Sequence, residues 1–408
     1  IVGCGWVSRH RHVPAYRRSG QADVVAVYDR KPERAQALAR YAGARSYSGE
    51  LGEMLAHERL DVVSVCTPPW LHASQTIVAL EAGANVLVEK PMAMSEADCR
   101  AMCNAAEGSG RQLCVSHNFL FSRAVAEASR RVDSGRAGRV ESVIGFQMST
   151  PRRRLPDWYD ALPGQLFFDE APHLTYLSRR FLGPREPQVV HAESLVTDVA
   201  TVQRTQNVVA VLRGNTGIGV LTMTFNASRA EWGFGIVGSE ESYLIDLFRD
   251  QLVVLGRGGA HTAEEVLGQT VGGIAQMIAG SITSGALYAT RRQLYGHGEL
   301  VGQFVDAVVT GAPVPVPGEE GVGTGRKEKR VPPERDRFVA RSYVESNLLA
   351  ATRPSAAYGS EVACGVDDAT LWADGICTLE SDGASRPDAN GDAEPVSAPS
   401  GVATGAVT

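Results

Sequence analysis

The chain opens on Ile1-Val2-Gly3-Cys4-Gly5-Trp6-Val7-Ser8, a short apolar run closed by a glycine pair, and this is the first segment with chemistry in it. Glycine at position 3 permits a tight turn. Glycine at position 5 lets the backbone approach a pyrophosphate held at the positive end of the helix that follows. Trp6 and Val7 complete the turn, and Ser8 stands where a third glycine is usual, small enough for close helix–strand packing and able to cap the helix. The next β-branched run, Val24-Val25-Ala26-Val27-Tyr28, ends at Asp29, where a carboxylate would accept hydrogen bonds from adenosine ribose hydroxyls. A carboxylate there repels a 2′-phosphate and favours NAD. Arg30 and Arg34 lie close enough in sequence to accommodate NADP instead. A glycine pair alone is weak evidence, because glycines punctuate turns everywhere. The strand–turn–helix–strand order makes a bound dinucleotide a better reading than an αβ turn with no ligand.

Further elements must hold such a ligand in place. Apolar runs and helical stretches alternate through Asp61 to Cys66, Leu71 to Ala82, Asn85 to Glu89, Ser95 to Glu107 and Gln112 to His117, the pattern of a parallel sheet wound with helices. Its ligand belongs at the carboxyl ends of the strands, where Gly3, Asp29, Thr67 and Lys90 all fall. Thr67-Pro68-Pro69 reads as a rigid turn before a helix and equally as a cofactor contact. His72 is expected at that helix start near the cofactor, and Glu89 as a structural or cofactor-adjacent acid. His10 and His12 are expected to be surface or cap residues of the first helix.

Composition sets the limits. With 408 residues the chain is long enough for two domains with material left over. A net charge of −6 argues against a nucleic-acid partner, and no apolar stretch is long enough to cross a membrane. Gly272 to Ala289 comes closest and reads as a packed helical segment. The seven cysteines lack paired metal-ligand spacing, so no metal is expected, and Cys99 and Cys103 read as reduced core or boundary thiols. The absence of a visible secretory signal points to the cytoplasm, although the chain opens on Ile1 and its true start is expected to be missing.

Three motifs carry a family resemblance. Thr67-Pro68-Pro69-Trp70-Leu71-His72, the run Ala79 to Pro91 ending in Glu89-Lys90-Pro91, and Asp169-Glu170-Ala171-Pro172-His173 resemble the Gfo/Idh/MocA oxidoreductases from Ile1 to about Val322. The resemblance implies an α/β chain: an N-terminal Rossmann NAD(P)-binding domain at 1–120, then an α+β substrate and oligomerisation domain at 121–322 with a largely antiparallel open sheet. It also implies NAD, with NADP possible, a small-molecule substrate such as a sugar or polyol, and a homo-oligomer, dimer or tetramer. Lys90 matches the lysine that sits near the nicotinamide and the reacting carbon. Asp169 and His173 match the Asp-x-x-x-His motif of the second domain.

The chemistry explains these types. Oxidising a secondary alcohol needs a base for the hydroxyl proton and a cation beside the developing alkoxide, so His173 is the expected base and Lys90 its electrostatic partner. Asp169, at i, i+4 from His173, is placed to orient that imidazole on a helix. The bond before Pro91 is expected to be cis, as in relatives. Tyr176 occupies a position that is frequently acidic in sugar-oxidising relatives, a departure that bears on substrate. Two further function classes fit the same motifs: a glycoside hydrolase that oxidises its sugar transiently on bound NAD, and a non-catalytic cofactor-binding protein.

The second domain has strand-like runs at Val140 to Met148, Val189 to Leu195, Val208 to Leu212, Gly219 to Phe225, Gly233 to Val237 and Tyr243 to Leu247, with a hairpin signal at Gly214-Asn215. Between Met148 and Asp169 a loop carries Arg152, Arg153 and Arg154 with Trp158 and Tyr159. It suits a carboxylate, a phosphate or a stacked sugar ring, and equally a solvated basic loop. Gly298 to Gly311 reads as the family's closing helix. From 323 to 408 the chain is atypical, with Arg386 the single basic residue after Pro354, and is expected to be largely disordered. It is either a genuine acidic tail or a peptide translated out of frame.

Overall fold

The computed structural model describes residues 1–150, 157–184, 187–199, 202–259 and 262–318. Arg152, Arg153, Arg154 and the tail from 323 onward lie outside the described residues. Two hydrophobic cores organise the rest.

The first core forms around a parallel sheet. Ile1–Val2 enters as a short central strand, with Val2 bridged to Tyr28 on one side and Val65 on the other. The chain continues through α1 (Val13–Ser19), β1 (Ala26–Tyr28), α2 (Pro32–Ala42), β2 (Arg45–Tyr47), α3 (Leu51–His57), β3 (Val62–Val65), α4 (His72–Glu81), β4 (Asn85–Val88), α5 (Glu96–Ser109) and β5 (Leu113–Val115). The spatial order is β2, β1, the Ile1–Val2 strand, β3, β4, β5. The order therefore reverses on either side of the opening strand, and that reversal leaves a crevice at the strand ends. β4 is buried along its whole length, as expected of a parallel strand covered on both faces. Ser95 caps α5 by accepting the Asp98 N–H at 3.1 Å. α2, β2 and α3 are not among the elements expected from the sequence. Tyr47 and Arg45 are half-buried and exposed, so β2 lacks the apolar run that marks its neighbours.

The second core lies between helices and one face of a seven-stranded sheet. Its elements are α6 (Arg123–Asp133), β6 (Val140–Met148), α7 (Leu166–Phe181), β7 (Gln188–Val199), β8 (Val202–Arg213), β9 (Ile218–Thr224), β10 (Glu231–Gly238), β11 (Ser242–Asp246) and β12 (Gln251–Leu255). The strand order is β12-β11-β10-β6-β9-β8-β7, antiparallel throughout except for the parallel β6–β9 pair at its centre. The sheet alternates with the two-residue period of a pleat: Val143, Gly145 and Gln147 of β6 face the core, while Ile144 and Phe146 face outward. α7 covers the inner face with Leu166, Phe167, Leu174, Leu177 and Phe181.

Two expectations need correction. The Gly272–Ala289 segment is helical, as part of α8 (Ala263–Ala289), and one side touches β12, but its apolar residues are left exposed: Ile278 is 56% and Ile282 69% exposed, and Ser284 is its one buried residue. No helix of the described residues is long and apolar enough to cross a membrane. The final stretch is α9 (His297–Thr310), and it does not stay with the second domain. Leu300, Val301, Phe304, Val305 and Val316 sit in the first core, so the chain returns to the Rossmann domain after completing the sheet. Truncating fully buried Phe304 to Ala should cost about 3–5 kcal/mol in denaturant unfolding. Val309→Ala on the same helix, 68% exposed, should stay within about 0.5 kcal/mol.

Candidate functional site

The opening turn is built on a constraint that glycine alone meets. Gly3 has φ +90°, and a Cβ there would lie 2.7 Å from the Cys66 carbonyl oxygen and 2.8 Å from the Thr67 side chain. Gly5 is the opposite case: a Cβ would meet no protein atom within 4 Å, so the space beside the turn is open. Ser8 does not cap the helix. Its hydroxyl donates to the Gly3 carbonyl and closes the turn from inside. The first helix opens with an i→i+5 turn over Ser8–His12 before α1 begins. Asp29 ties the turn to its strand, accepting the Cys4 N–H at 2.8 Å and the Lys31 N–H at 2.9 Å. Each carboxylate oxygen keeps a second lone pair for a ribose hydroxyl. Arg30 and Arg34 are exposed beside it, and Trp6, 62% exposed, stacks on His10 at 4.8 Å. These residues fit a dinucleotide.

The neighbouring strand ends are braced. His72 is buried at the start of α4, with Nδ1 2.8 Å from the Pro91 carbonyl and Nε2 2.8 Å from the Thr67 carbonyl. The Thr67 hydroxyl donates to Gln75 at 2.6 Å, and Pro68 leads into the single turn Pro69–Leu71. The Lys90–Pro91 peptide is cis.

At the end of β4, Lys90 reaches across to α7. Its Nζ donates to the Asp169 carbonyl at 2.9 Å and to Asp169 Oδ1 at 2.8 Å, with both side chains largely buried. Tyr159 donates its hydroxyl to the other carboxylate oxygen, and its ring stacks on Trp158, which meets Trp70 edge-on at 5.8 Å. Asp169 therefore does not orient His173, as its spacing suggested; it is turned to Lys90 and Tyr159. The partner of His173 is Tyr176, whose hydroxyl lies 2.8 Å from Nδ1 and accepts the Phe119 N–H at 3.1 Å. His173 is held well below its ordinary pKa by burial first and then by the Lys90 ammonium, so it is neutral at pH 7. The structure thus brings Gly3, Gly5, Asp29, Thr67, His72 and Lys90 to one edge of the first sheet, with Asp169 and His173 facing from the second core.

Two residues were misjudged or missed. His12, expected at the surface, is completely buried, with Nε2 2.8 Å from Glu89. His297, at the start of α9, lies 3.4 Å from the same carboxylate. No local pattern marks a pairing between residues so far apart in sequence.

Known proteins resemble the chain most clearly over its N-terminal part. Residues 1–117 match the GFO_IDH_MocA model, described as an oxidoreductase family with an NAD-binding Rossmann fold. Over these residues the chain is similar to the Gfo/Idh/MocA oxidoreductases. The chain is 35% identical over 158 residues to D-glucoside 3-dehydrogenase of Escherichia coli, covering 39% of this chain and 44% of that protein. It therefore spans less than half the length of that relative. It is 28% identical over 249 residues to dTDP-3,4-didehydro-2,6-dideoxy-alpha-D-glucose 3-reductase of Streptomyces violaceoruber, covering 60% of this chain and 71% of that protein. The solved WlbA dehydrogenase from Bordetella pertussis, in complex with NADH and UDP-GlcNAcA, shares the fold. Its TM-score is 0.65 at 22% identity, over 85% of this chain and 93% of that one.

The two glycines separate folding from binding. Gly3→Ala should destabilise the protein by about 1–3 kcal/mol through its backbone conformation and the clash with Cys66. Gly5→Val should melt like the parent and bind NAD at least about tenfold more weakly by fluorescence titration, because the added side chain occupies the open space. The pH dependence of His173 has a definite sign. The unfolded chain takes up a proton at this residue as pH falls through about 6.5 and the folded protein does not. Stability should therefore drop from pH 7 toward 5, and His173→Gln should remove up to about 1.4 kcal/mol per pH unit of that slope in thermal unfolding.

Proposed function

We propose that this chain is an NAD(P)-dependent oxidoreductase that moves hydride between the nicotinamide and a secondary hydroxyl or carbonyl carbon of a sugar, polyol or related compound. The observation that carries the proposal is the meeting of Lys90 with Asp169, beside His173, next to a glycine turn with open space at Gly5. The relatives named above act on sugar derivatives and support that substrate class. NAD supplies the hydride acceptor when bound; Gly3, Gly5 and Asp29 would hold its pyrophosphate and ribose.

The chain's own residues supply the proton chemistry. Lys90 commits two of its three N–H groups to Asp169, and the third is available to a substrate oxygen, stabilising negative charge as it develops. Asp169, fixed by Tyr159, holds the ammonium in that direction. His173 takes or returns the hydroxyl proton at Nε2, which requires that Nδ1 donate to the Tyr176 oxygen. Tyr176, where many sugar-oxidising relatives carry an acid, thus serves the histidine. The aromatic group of Trp70, Trp158 and Tyr159 offers faces on which a sugar ring can stack.

We also infer a homo-oligomer formed through the outer face of the second sheet, where Ile144, Phe146, Leu195, Ile218 and Leu244 are exposed together. The described cysteines are thiols, which supports a reducing compartment such as the cytoplasm.

A panel of sugars, polyols and their keto derivatives, assayed for net formation or loss of reduced cofactor, should yield a substrate. Lys90→Ala should then lose about 10²–10⁴-fold in kcat/KM with NAD affinity retained. Turnover of a glycoside without net NADH would favour the hydrolase, and undiminished turnover by Lys90→Ala would sink the assignment. Phe146→Glu with Ile144→Glu should convert the assembly to monomers in sedimentation velocity, since each places a charge in the apolar face.

A further inference from the structure

Glu89 is a carboxylate at 7% exposure beside Lys90, and the reading above gives it no task. Side chains from three separate segments, and the backbone of its own neighbour, converge on it. His12, at the end of the opening helical turn, brings Nε2 to 2.8 Å from Oε1. Ser116, just past β5, donates its hydroxyl to the same oxygen at 3.0 Å, and His297 of α9 approaches it at 3.4 Å. The other oxygen, Oε2, accepts the Lys90 backbone N–H at 3.2 Å. Behind His12, Nδ1 lies 3.2 Å from the Ser64 hydroxyl of β3, which is 2.7 Å from the Tyr16 hydroxyl. Behind His297, Nδ1 donates to the Leu294 carbonyl at 2.9 Å. The other ionisable groups facing this cluster are Cys66 beside His12, and His72 and His173 on the side of Lys90.

Two histidines and a carboxylate with their ligand atoms within 4.8 Å resemble a metal site. The spacing argues against one. His12 Nε2 and Glu89 Oε1 stand at a hydrogen-bond separation of 2.8 Å, shorter than the roughly 3.3 Å between two ligands of one tetrahedral zinc.

A carboxylate this deeply buried needs a charge partner, because removing it from water unpaired is prohibitively costly. Of the two histidines, the hydrogen-bond pattern favours His12 as the carrier of that charge. With Nδ1 of His297 committed to a carbonyl, the neutral form of that ring turns a lone pair toward Glu89, whereas His12 faces the carboxylate with one ring nitrogen and the Ser64 hydroxyl, which is able to accept, with the other. Burial pulls the His12 pKa down, but Cys66 and Glu89 outweigh it and raise it to about 10; burial keeps His297 below its ordinary value. Glu89, against the pull of burial, is held well below the usual carboxylate range, chiefly by its hydrogen bond with His12.

We propose that His12 is a positioning residue for Lys90: carried as an imidazolium on Glu89, it offsets that charge from beneath, so the Lys90 ammonium turns outward to Asp169 and the reacting group. Without that offset, the carboxylate next to Lys90 in the chain competes with Asp169 for the ammonium and draws it inward. The proposal rests on Lys90 being the cation of the site; its test needs no substrate and stands whether or not hydride transfer is found.

The chain has lysines only at 31, 90, 327 and 329, so labelling of Lys90 is read without ambiguity. Intact protein is treated with trace acetic anhydride at pH 8, and acetylation of Lys90 is measured by peptide mass spectrometry against exposed Lys31. His12→Gln keeps a donor toward Glu89 and removes the charge. Lys90 labelling should slow at least about threefold, because the ammonium is held by an uncompensated carboxylate. Adding Glu89→Gln to that variant should restore labelling to within about twofold of the parent. Glu89→Gln alone should also stay within about twofold, since His12 then sheds its proton and the cluster remains neutral. It decides the matter if His12→Gln does not fold, a rise above about fivefold refuting the idea. Equal or faster labelling in His12→Gln, slow labelling that persists in the double variant, or one equivalent of bound metal in the parent that Glu89→Gln removes, would each overturn the proposal.

Discussion

A lysine from the end of one sheet and an aspartate from a helix beneath another meet at 2.8 Å, and the arrangement of the whole site depends on that contact. Lys90 is placed by β4, a strand buried on both faces, and Asp169 by α7, whose inner surface is almost entirely core. Neither side chain has much water around it. A pair this sheltered gives up solvation comparable to what it regains, so it is a poor device for stability alone. Its geometry suits the proposed role of pointing an ammonium at a reacting oxygen. Tyr159 fixes the far oxygen of the carboxylate, and Tyr176 fixes the imidazole that approaches from the same helix.

Geometry of this accuracy needs both cores to be rigid and joined. The return of α9 into the first core supplies much of that connection. Leu300, Phe304 and Val316 complete the Rossmann packing only after the chain has traversed the seven-stranded sheet, so the first core is closed by residues from both sides of the second in sequence. The same helix delivers His297 to the Glu89 cluster. Lys90 thus follows one buried carboxylate in the chain, held by His12, and meets another across the site.

The outward-facing surfaces follow another logic. The sheet alternates strictly enough that its core face is complete, and Ile144, Phe146 and Leu244 on the opposite face are left in water at an apolar cost that a second copy would relieve. α8 carries its exposed apolar residues without such alternation, on a helix that touches the edge strand β12 through Gln276 and the Val254 backbone.

The amino-acid order by itself determined everything that local pattern controls. Most strands of the first sheet announce themselves as β-branched runs, the turn as Gly3 and Gly5, the candidate ribose acid as Asp29 at a strand end, and the catalytic candidates as short motifs around Lys90, Asp169 and His173. Elements with weak patterns, such as β2 and α3, were not legible, because a short strand with exposed side chains has no hydrophobic period to read. Partnerships between distant residues could not be read either. The i, i+4 spacing suggested that Asp169 serves His173, but a helix face is shared with whatever packs against it, and Lys90 arrives from another core to claim the carboxylate. His12 looked like a surface residue of a polar helix start; only the packing of α9 and β3 over it shows a buried imidazole held on Glu89. Hydrogen bonds and ion pairs depend on distances that tertiary packing sets, and no spacing along the chain contains them.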